Sequence, residues 1–408
     1  MNKTMQKKYA RLIARVGVNI KKGQTVKIYC EADQHEFAAI LVNECYKAGA
    51  SRVDVEWTFQ AITKLNYRYR SLKSLSNVPV WQEEKYKLQV KEVPCRIHIE
   101  SEDPDGLSGV NQEKMQKSQM SRYKVLKPYN DALENKDQWT IAAVPSYAWA
   151  KKVFPNETKN KAYNMLWDAI LKTVYVTKDN DPEKAWEEHN KDLKARCKFL
   201  NDIKFDYLQY KSSNGTDFRA DLIPESHWCG GSEKTLSGNV FNPNLPSEEV
   251  FITPKKGYAE GKVVSTKPLS YQGQIINNFW IEFKEGKAVK WGAEQGEELL
   301  DKMLSMDEGA KYLGELALIP YHSPIAETGI LFYNTLFDEN ASCHVALGRG
   351  FCDTIDNFEE KSLEECHEIG VNDSMIHVDF MIGAPDMEII GYKDGKPTKI
   401  FENGNWAF

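Results

Sequence analysis

The 408-residue sequence has no C-x-x-C pair, no internal repeat, no low-complexity tract and no block of basic residues. No apolar run approaches the ~18–20 residues that a membrane-spanning helix needs. The opening stretch, Met1 to Tyr9, is basic but runs into an amphipathic segment rather than an unbroken apolar one, so no secretory signal is expected. Each absence removes a class of function. The eight cysteines (Cys30, Cys45, Cys95, Cys197, Cys229, Cys343, Cys352 and Cys366) are scattered and read as reduced thiols, and the expected location is the cytoplasm. Cys343 and Cys352 stand near His344, but their spacing matches no thiolate metal site. A net charge of -6 and a pI near 5.9 argue against a nucleic-acid partner.

What is present describes a globular α/β protein. The apolar fraction is 41% and the charged fraction 27%, and the chain is longer than one core usually grows, so two domains are expected. Apolar residues recur at helical spacing from Met5 to Val16. Thr25–Cys30 reads as a strand and Gln34–Ala48 as a helix that stops at Gly49, where a left-handed cap is wanted; Arg52–Trp57 reads as a second strand. Strand, helix, strand is a parallel βαβ unit. Arg96–Glu100 adds a strand, and the cluster Asp103-Pro104-Asp105-Gly106 marks the expected boundary. The sequence thus predicts an N-terminal α/β domain over 1–105 and a larger mixed α/β catalytic domain over 106–408. The stretch 112–201 reads as mostly helical, interrupted by a short strand at 139–144, with Trp149 and Trp167 as core or interface aromatics. Later come β-like alternation at 202–222, hairpins turning near 284–287 and 393–396, and helices at 294–304 and 310–313.

The run Met375–Gly383 carries two polar residues inside an otherwise apolar strand. Side chains alternate faces, so His377 and Asp379 point one way while Ile376, Val378, Phe380 and Ile382 enter a core. Buried without a partner such groups are costly; they either bond to each other or ligate a metal. Three further segments put a carboxylate or imidazole at the edge of an apolar stretch: Glu249, Glu315, and Glu339 with His344. Six oxygen and nitrogen ligands exceed what one tetrahedral ion needs, and suit two ions sharing a bridging carboxylate and water.

These segments carry a resemblance. Asn-Leu-Pro-Ser-Glu-Glu-Val-Phe at 244–251, Gly314-Glu315, Phe-Tyr-Asn-Thr-Leu-Phe-Asp-Glu-Asn-Ala at 332–341, His-Val-Ala-Leu-Gly at 344–348 and His-Val-Asp-Phe-Met-Ile-Gly at 377–383 resemble the thermophilic-type metalloaminopeptidases of family M29. Shorter matches (Arg15 to Asn19, Gly23-Gln24, Gly49-Ala50) extend the similarity through most of the chain. The resemblance implies a dinuclear centre of zinc, cobalt or manganese held by Glu249, Glu315, Glu339, His344, His377 and Asp379, with Glu315 bridging. It implies release of N-terminal residues from short peptides by a metal-activated water, and a homodimer. By the same motif the ligand is Glu249 rather than Glu248, which is expected to be solvated.

One position departs. Where the family usually has a tyrosine seven residues after the histidine, this chain has Phe351, so a phenolic donor is missing unless Tyr321, Tyr333 or Arg349 replaces it. Two other readings compete. One is a ring-cleaving oxidoreductase with a single non-haem iron, which needs fewer ligands than these glutamates supply; the other is a catalytically weak peptide-binding relative. His35, His98, His189, His227, His322 and His367 are expected to be ordinary histidines, and Asp338 and Asn340 to fix the loop around Glu339.

Overall fold

The βαβ unit forms as its residue pattern dictates. Strands β1 (Thr25–Glu31) and β2 (Arg52–Thr58) lie parallel, with Thr25 opposite Arg52. The connecting helix His35–Ala48 ends at Gly49, which takes a φ of 116° and donates its N–H to the Tyr46 carbonyl. Strand β3 (Cys95–Glu100) pairs parallel with β1 on its other side. The computed structural model describes residues 3–271 and 273–408, so Met1, Asn2 and Gln272 lie outside the described residues.

The boundary expected at 105 falls inside a domain. Strand β4 (Trp139–Ala143) pairs parallel with β3, and the short strand Asn244–Leu245 pairs parallel with β4, completing a five-stranded sheet. The Asp103–Gly106 cluster is a turn within that domain: Gly106 donates to the Asp103 carbonyl at 2.9 Å and Asp105 to the Asp103 carboxylate at 3.0 Å. The chain forms two compact units of nearly equal size, Met1–Glu188 with Ser232–Pro246, and His189–Gly231 with Ser247–Phe408. The second is therefore not the larger domain that the early boundary implied. In the first unit Tyr9, Phe37 and Trp167 pack with ring centroids 5.7–6.4 Å apart, and Trp149 is equally buried, so both tryptophans are core residues.

The second unit is built on two antiparallel sheets. One has five strands: β5 (Cys229–Gly230), β6 (Val250–Ile252), β7 (Leu313–Leu318), β8 (His344–Gly348) and β9 (His377–Met381), in the spatial order β9-β8-β7-β6-β5. The other has nine strands, among them Gln274–Lys284 and the C-terminal hairpin Glu388–Lys393/Lys396–Glu402. Inner-face side chains of both sheets share one core; Phe279 and Phe380 meet at 5.2 Å. All eight cysteines are free, and burial pushes the Cys30, Cys45, Cys95, Cys197 and Cys343 thiols up to about 12. Among the described residues no helix is long and apolar enough to cross a membrane.

Candidate metal centre

The five-stranded sheet has one apolar face and one acidic face because its strands alternate residue by residue. Ile252, Leu316, Leu318, Val345, Leu347 and Phe380 belong to the core. The register puts Glu315 beside Ala346 and Ala346 beside Asp379, so two carboxylates flank a small residue across three adjacent strands. His344 lies beside Ala317, His377 beside Gly348, and Phe251 beside Ala317. These residues share the face opposite the core. Cys343, one position before His344, points the other way into the core, which is why it is no ligand.

A bulge sets the aim of Glu315. The register between β7 and β8 shifts between Leu313 and Glu315, leaving Gly314 as the extra residue. A Cβ at Gly314 would stand 2.1 Å from the Arg349 carbonyl oxygen, so only glycine fits that approach. Bulges of this kind redirect a side chain next to a functional site.

Glu249 immediately precedes β6, and its neighbour is held from outside the sheet. The Glu248 N–H donates to Asn340 Oδ1 at 2.7 Å, while Asn340 Nδ2 donates to the Leu336 carbonyl at 3.0 Å and reaches Glu339 Oε1 at 3.5 Å. Glu248 itself is buried, contrary to the solvated position expected of it. Its side chain lies 3.9 Å from His189 Nε2, and that histidine contacts the Ser247 carbonyl at 2.7 Å. Burial follows from the Asn340 anchor, a long-range contact that leaves no local mark. Asp338 accepts the N–H groups of Phe332 at 2.8 Å and Asn334 at 3.1 Å, tying the loop that presents Glu339. Asp338 and Asn340 thus make the loop-fixing bonds expected of them.

Five of the six residues converge within ligand distance of one another, and the sixth lies beside them. Glu249, Glu315 and His344 each offer an atom within 4.8 Å of the others, and Glu315, His377 and Asp379 do the same. Glu315 belongs to both groups. His344 Nε2 stands 3.5 Å from Glu249 and 3.9 Å from Asp379; His377 Nε2 stands 3.1 Å from Glu315 and 3.2 Å from Asp379. Glu339 falls in neither group, but its carboxyl feels Asp379, Glu249 and Glu315 and lines a pocket with Asp379.

Both histidines have their Nδ1 atoms tied to backbone carbonyls. His344 Nδ1 lies 2.9 Å from the Glu339 carbonyl and His377 Nδ1 lies 2.7 Å from the Arg349 carbonyl. A carbonyl accepts only, so each Nδ1 carries a hydrogen and each Nε2 is left facing the carboxylates. Asp379 Oδ1 is buried and accepts no hydrogen bond. Burial and the charges of Asp379, Glu249 and Glu315 hold the Glu339 carboxyl well above the usual range. Burial opposes charge on His377, but Asp379 and Glu315 outweigh it and hold that imidazole well above its ordinary pKa. Burial raises and His377 lowers Asp379, with the net shift downward. Clustered buried carboxylates faced by two imidazole Nε2 atoms are what divalent cations bind.

Phe351 stands at this site. Its ring centroid is 4.7 Å from that of His377 and 5.6 Å from that of Phe251, and its backbone is pinned by Thr253, whose hydroxyl accepts the Phe351 N–H at 2.8 Å. The remaining histidines lie elsewhere: His98 stacks on Tyr29 at 4.6 Å, with burial lowering its pKa to about 4, and His227 sits 3.0 Å from Asp356.

The model of the family Thermophilic metalloprotease (M29) matches residues 2–406. The chain belongs to the M29 family. Among M29 relatives, aminopeptidase AmpS of Bacillus subtilis (strain 168) is 40% identical over 402 residues, which cover 98% of each chain. The solved structure of wild-type AmpT from Thermus thermophilus superposes with a TM-score of 0.92 at 35% identity, covering all of both chains. The M29 assignment makes the protein a metalloprotease and implies divalent metal ions. A 2,5-dihydroxypyridine dioxygenase from Pseudomonas putida KT2440 also aligns, over 99% of this chain and 96% of its own, with a TM-score of 0.51 at 11% identity; that likeness is one of fold alone.

Proposed function

We propose that this M29 protein is a dinuclear metalloaminopeptidase that releases N-terminal residues from short peptides. The observation that carries the reading is the pair of ligand groups sharing Glu315. Glu249, Glu315 and His344 would hold one cation and Glu315, His377 and Asp379 the other, with Glu339 supplying a further carboxylate. Four carboxylates and two neutral imidazoles balance the charge of two divalent ions. When bound, zinc, cobalt or manganese would polarise the first peptide carbonyl and lower the pKa of a water.

The chain's own residues account for the rest. The free N-terminal amine, the group that separates an exopeptidase substrate from an internal peptide bond, would be held by a bound cation together with the surrounding carboxylates. Phe251 and Phe351 form an apolar wall beside His377 that keeps water from that side of the centre. The two backbone carbonyls behind His344 and His377 fix the ring orientations, so no rearrangement is needed when substrate arrives. The reading extends to a cytoplasmic homodimer.

Elemental analysis of the purified protein beside turnover of a tripeptide and its N-acetylated form tests this. Two divalent ions per chain and cleavage of the unblocked peptide alone are expected. A single iron per chain would favour the ring-cleaving oxidoreductase instead, and binding without cleavage would favour a catalytically weak relative.

A further inference from the structure

A cavity in the second unit stands apart from the metal centre. Its volume is about 260 Å³, and none of the six candidate metal ligands is among its walls. The floor is apolar: Leu200, Phe205, Leu222, Trp228 and Ile252 all belong to the shared core and are buried. An apolar cavity of about 150 Å³ already admits benzene, so this one has room for a phenyl ring carrying a short chain.

The rim is charged. It carries three lysines, Lys204, Lys255 and Lys393, and two aspartates, Asp206 and Asp221. Both oxygens of each aspartate are already taken. Asp206 accepts from Lys393 Nζ and from the Asp394 N–H, each at 2.7 Å, and Asp221 accepts from Arg219 Nε at 2.7 Å and Nη2 at 3.0 Å. Lys204 Nζ pairs with Asp356 at 2.9 Å. Lys255 is held differently. Its stem lies against Gly370, where an added Cβ would stand 3.1 Å from Lys255 Cγ and 3.6 Å from Ile223, another wall of the cavity. Its ammonium sits 4.5 Å from the centroid of the Tyr258 ring, also at the rim. An aromatic face attracts a cation without neutralising it.

The lining charges and their partners thus form three ion pairs and leave the Lys255 ammonium over. A cationic ligand would find no free aspartate oxygen, whereas a single anionic group would find Lys255. Apolar walls that hold a ligand's body and one placed charge that orients it are the usual make-up of a small-molecule site. We propose that this cavity binds a small monocarboxylic acid with an aromatic or branched aliphatic body, its carboxylate on Lys255 and its body against the core floor. The site is independent of the peptidase reading.

The test is calorimetric titration of the full-length protein with hydrocinnamate, hydrocinnamamide and phenylalanine. Saturable binding of the acid is expected, about tenfold tighter than that of the neutral amide, the size of one charge-assisted hydrogen bond. Phenylalanine, whose ammonium meets occupied aspartates, should bind more weakly than hydrocinnamate. Lys255→Met should erase the acid-over-amide preference, and Lys255→Arg should keep most of it. Glu315→Ala, altered at the metal centre instead, should bind the acid as wild type does. Absence of saturable binding, equal affinity for acid and amide, tighter binding of phenylalanine, an unchanged preference in Lys255→Met, or loss of binding in Glu315→Ala each overturns the proposal.

Discussion

Asn340→Ala probes how the centre is held rather than how it reacts. Asn340 is fully buried, and its amide ties its own loop to the segment before β6: it contacts the Glu248 N–H at 2.7 Å, the Leu336 carbonyl at 3.0 Å and Glu339 Oε1 at 3.5 Å. Alanine leaves a buried N–H and a buried carbonyl without partners. Each such orphan costs about 1–3 kcal/mol, so the second unit should lose about 2–6 kcal/mol. The same change frees the segments that present Glu249 and Glu339, and loss of an outer hydrogen bond of this kind lowers metal affinity about 10–100-fold. Urea unfolding of chelator-treated protein measures the first effect and metal titration the second. Hydrogen exchange at the Glu248 amide reports the lost bond directly; protection should fall in Asn340→Ala and persist in Asn340→Asp, which keeps the accepting oxygen. Wild-type stability together with wild-type metal affinity in Asn340→Ala would refute the claim that this amide positions the ligands.

The remaining expectations concern the ligands, the aromatic wall and the acid-sensitive loop. His377→Ala and Glu315→Ala should each abolish turnover of an unblocked tripeptide while circular dichroism stays unchanged; undiminished turnover in either removes the ligand assignment. Phe351→Tyr puts a hydroxyl on a ring 4.7 Å from His377, and should raise kcat; a well-placed donor is worth up to about 2.7–4 kcal/mol in other hydrolases. A lower kcat would mean the pocket is shaped around the phenyl ring. Burial raises Asp338 from 3.8 to about 6 despite three backbone N–H groups that lower it. Its folded pKa exceeds its unfolded one, so its contribution to stability is complete below 3.8 and is lost as pH rises through 6, about 3 kcal/mol in all. Stability of the metal-free protein should therefore fall more steeply between pH 4 and 7 in wild type than in Asp338→Asn; equal slopes contradict the shift.

Much of the architecture was legible because its period is short. Strands β1, β2, β3 and β4 announce themselves as apolar runs between turn residues, and Gly49 marks a helix end that the structure places at that residue. The acidic face was legible for a related reason: a polar residue inside an apolar strand must be there for something. What the sequence hides is non-local. The strand Asn244–Leu245 joins a sheet begun more than two hundred residues earlier, and no composition change at 105 distinguishes an internal turn from a linker. Helix Gln60–Tyr69 carries Ile62, Leu65 and Tyr69 at helical spacing but leaves all three exposed, and neither it nor helix Val80–Glu92 is among the elements that the sequence predicts. The Gly314 bulge and the burial of Glu248 depend on partners far along the chain. Where the sequence predicts a helix at 310–313, a single 3-10 turn, Gly309–Lys311, leads into β7.

The antiparallel order β9-β8-β7-β6 also sets a timetable. During synthesis the first candidate ligand, Glu249, leaves the ribosome long before the last, Asp379, and β9 is the edge strand that brings both His377 and Asp379 to the centre. A nascent chain that has not yet delivered β9 lacks every ligand of the second group except the shared Glu315. The candidate centre is therefore assembled only once β9 has been made and has paired with β8, well after its first residue, Glu249, has been synthesised.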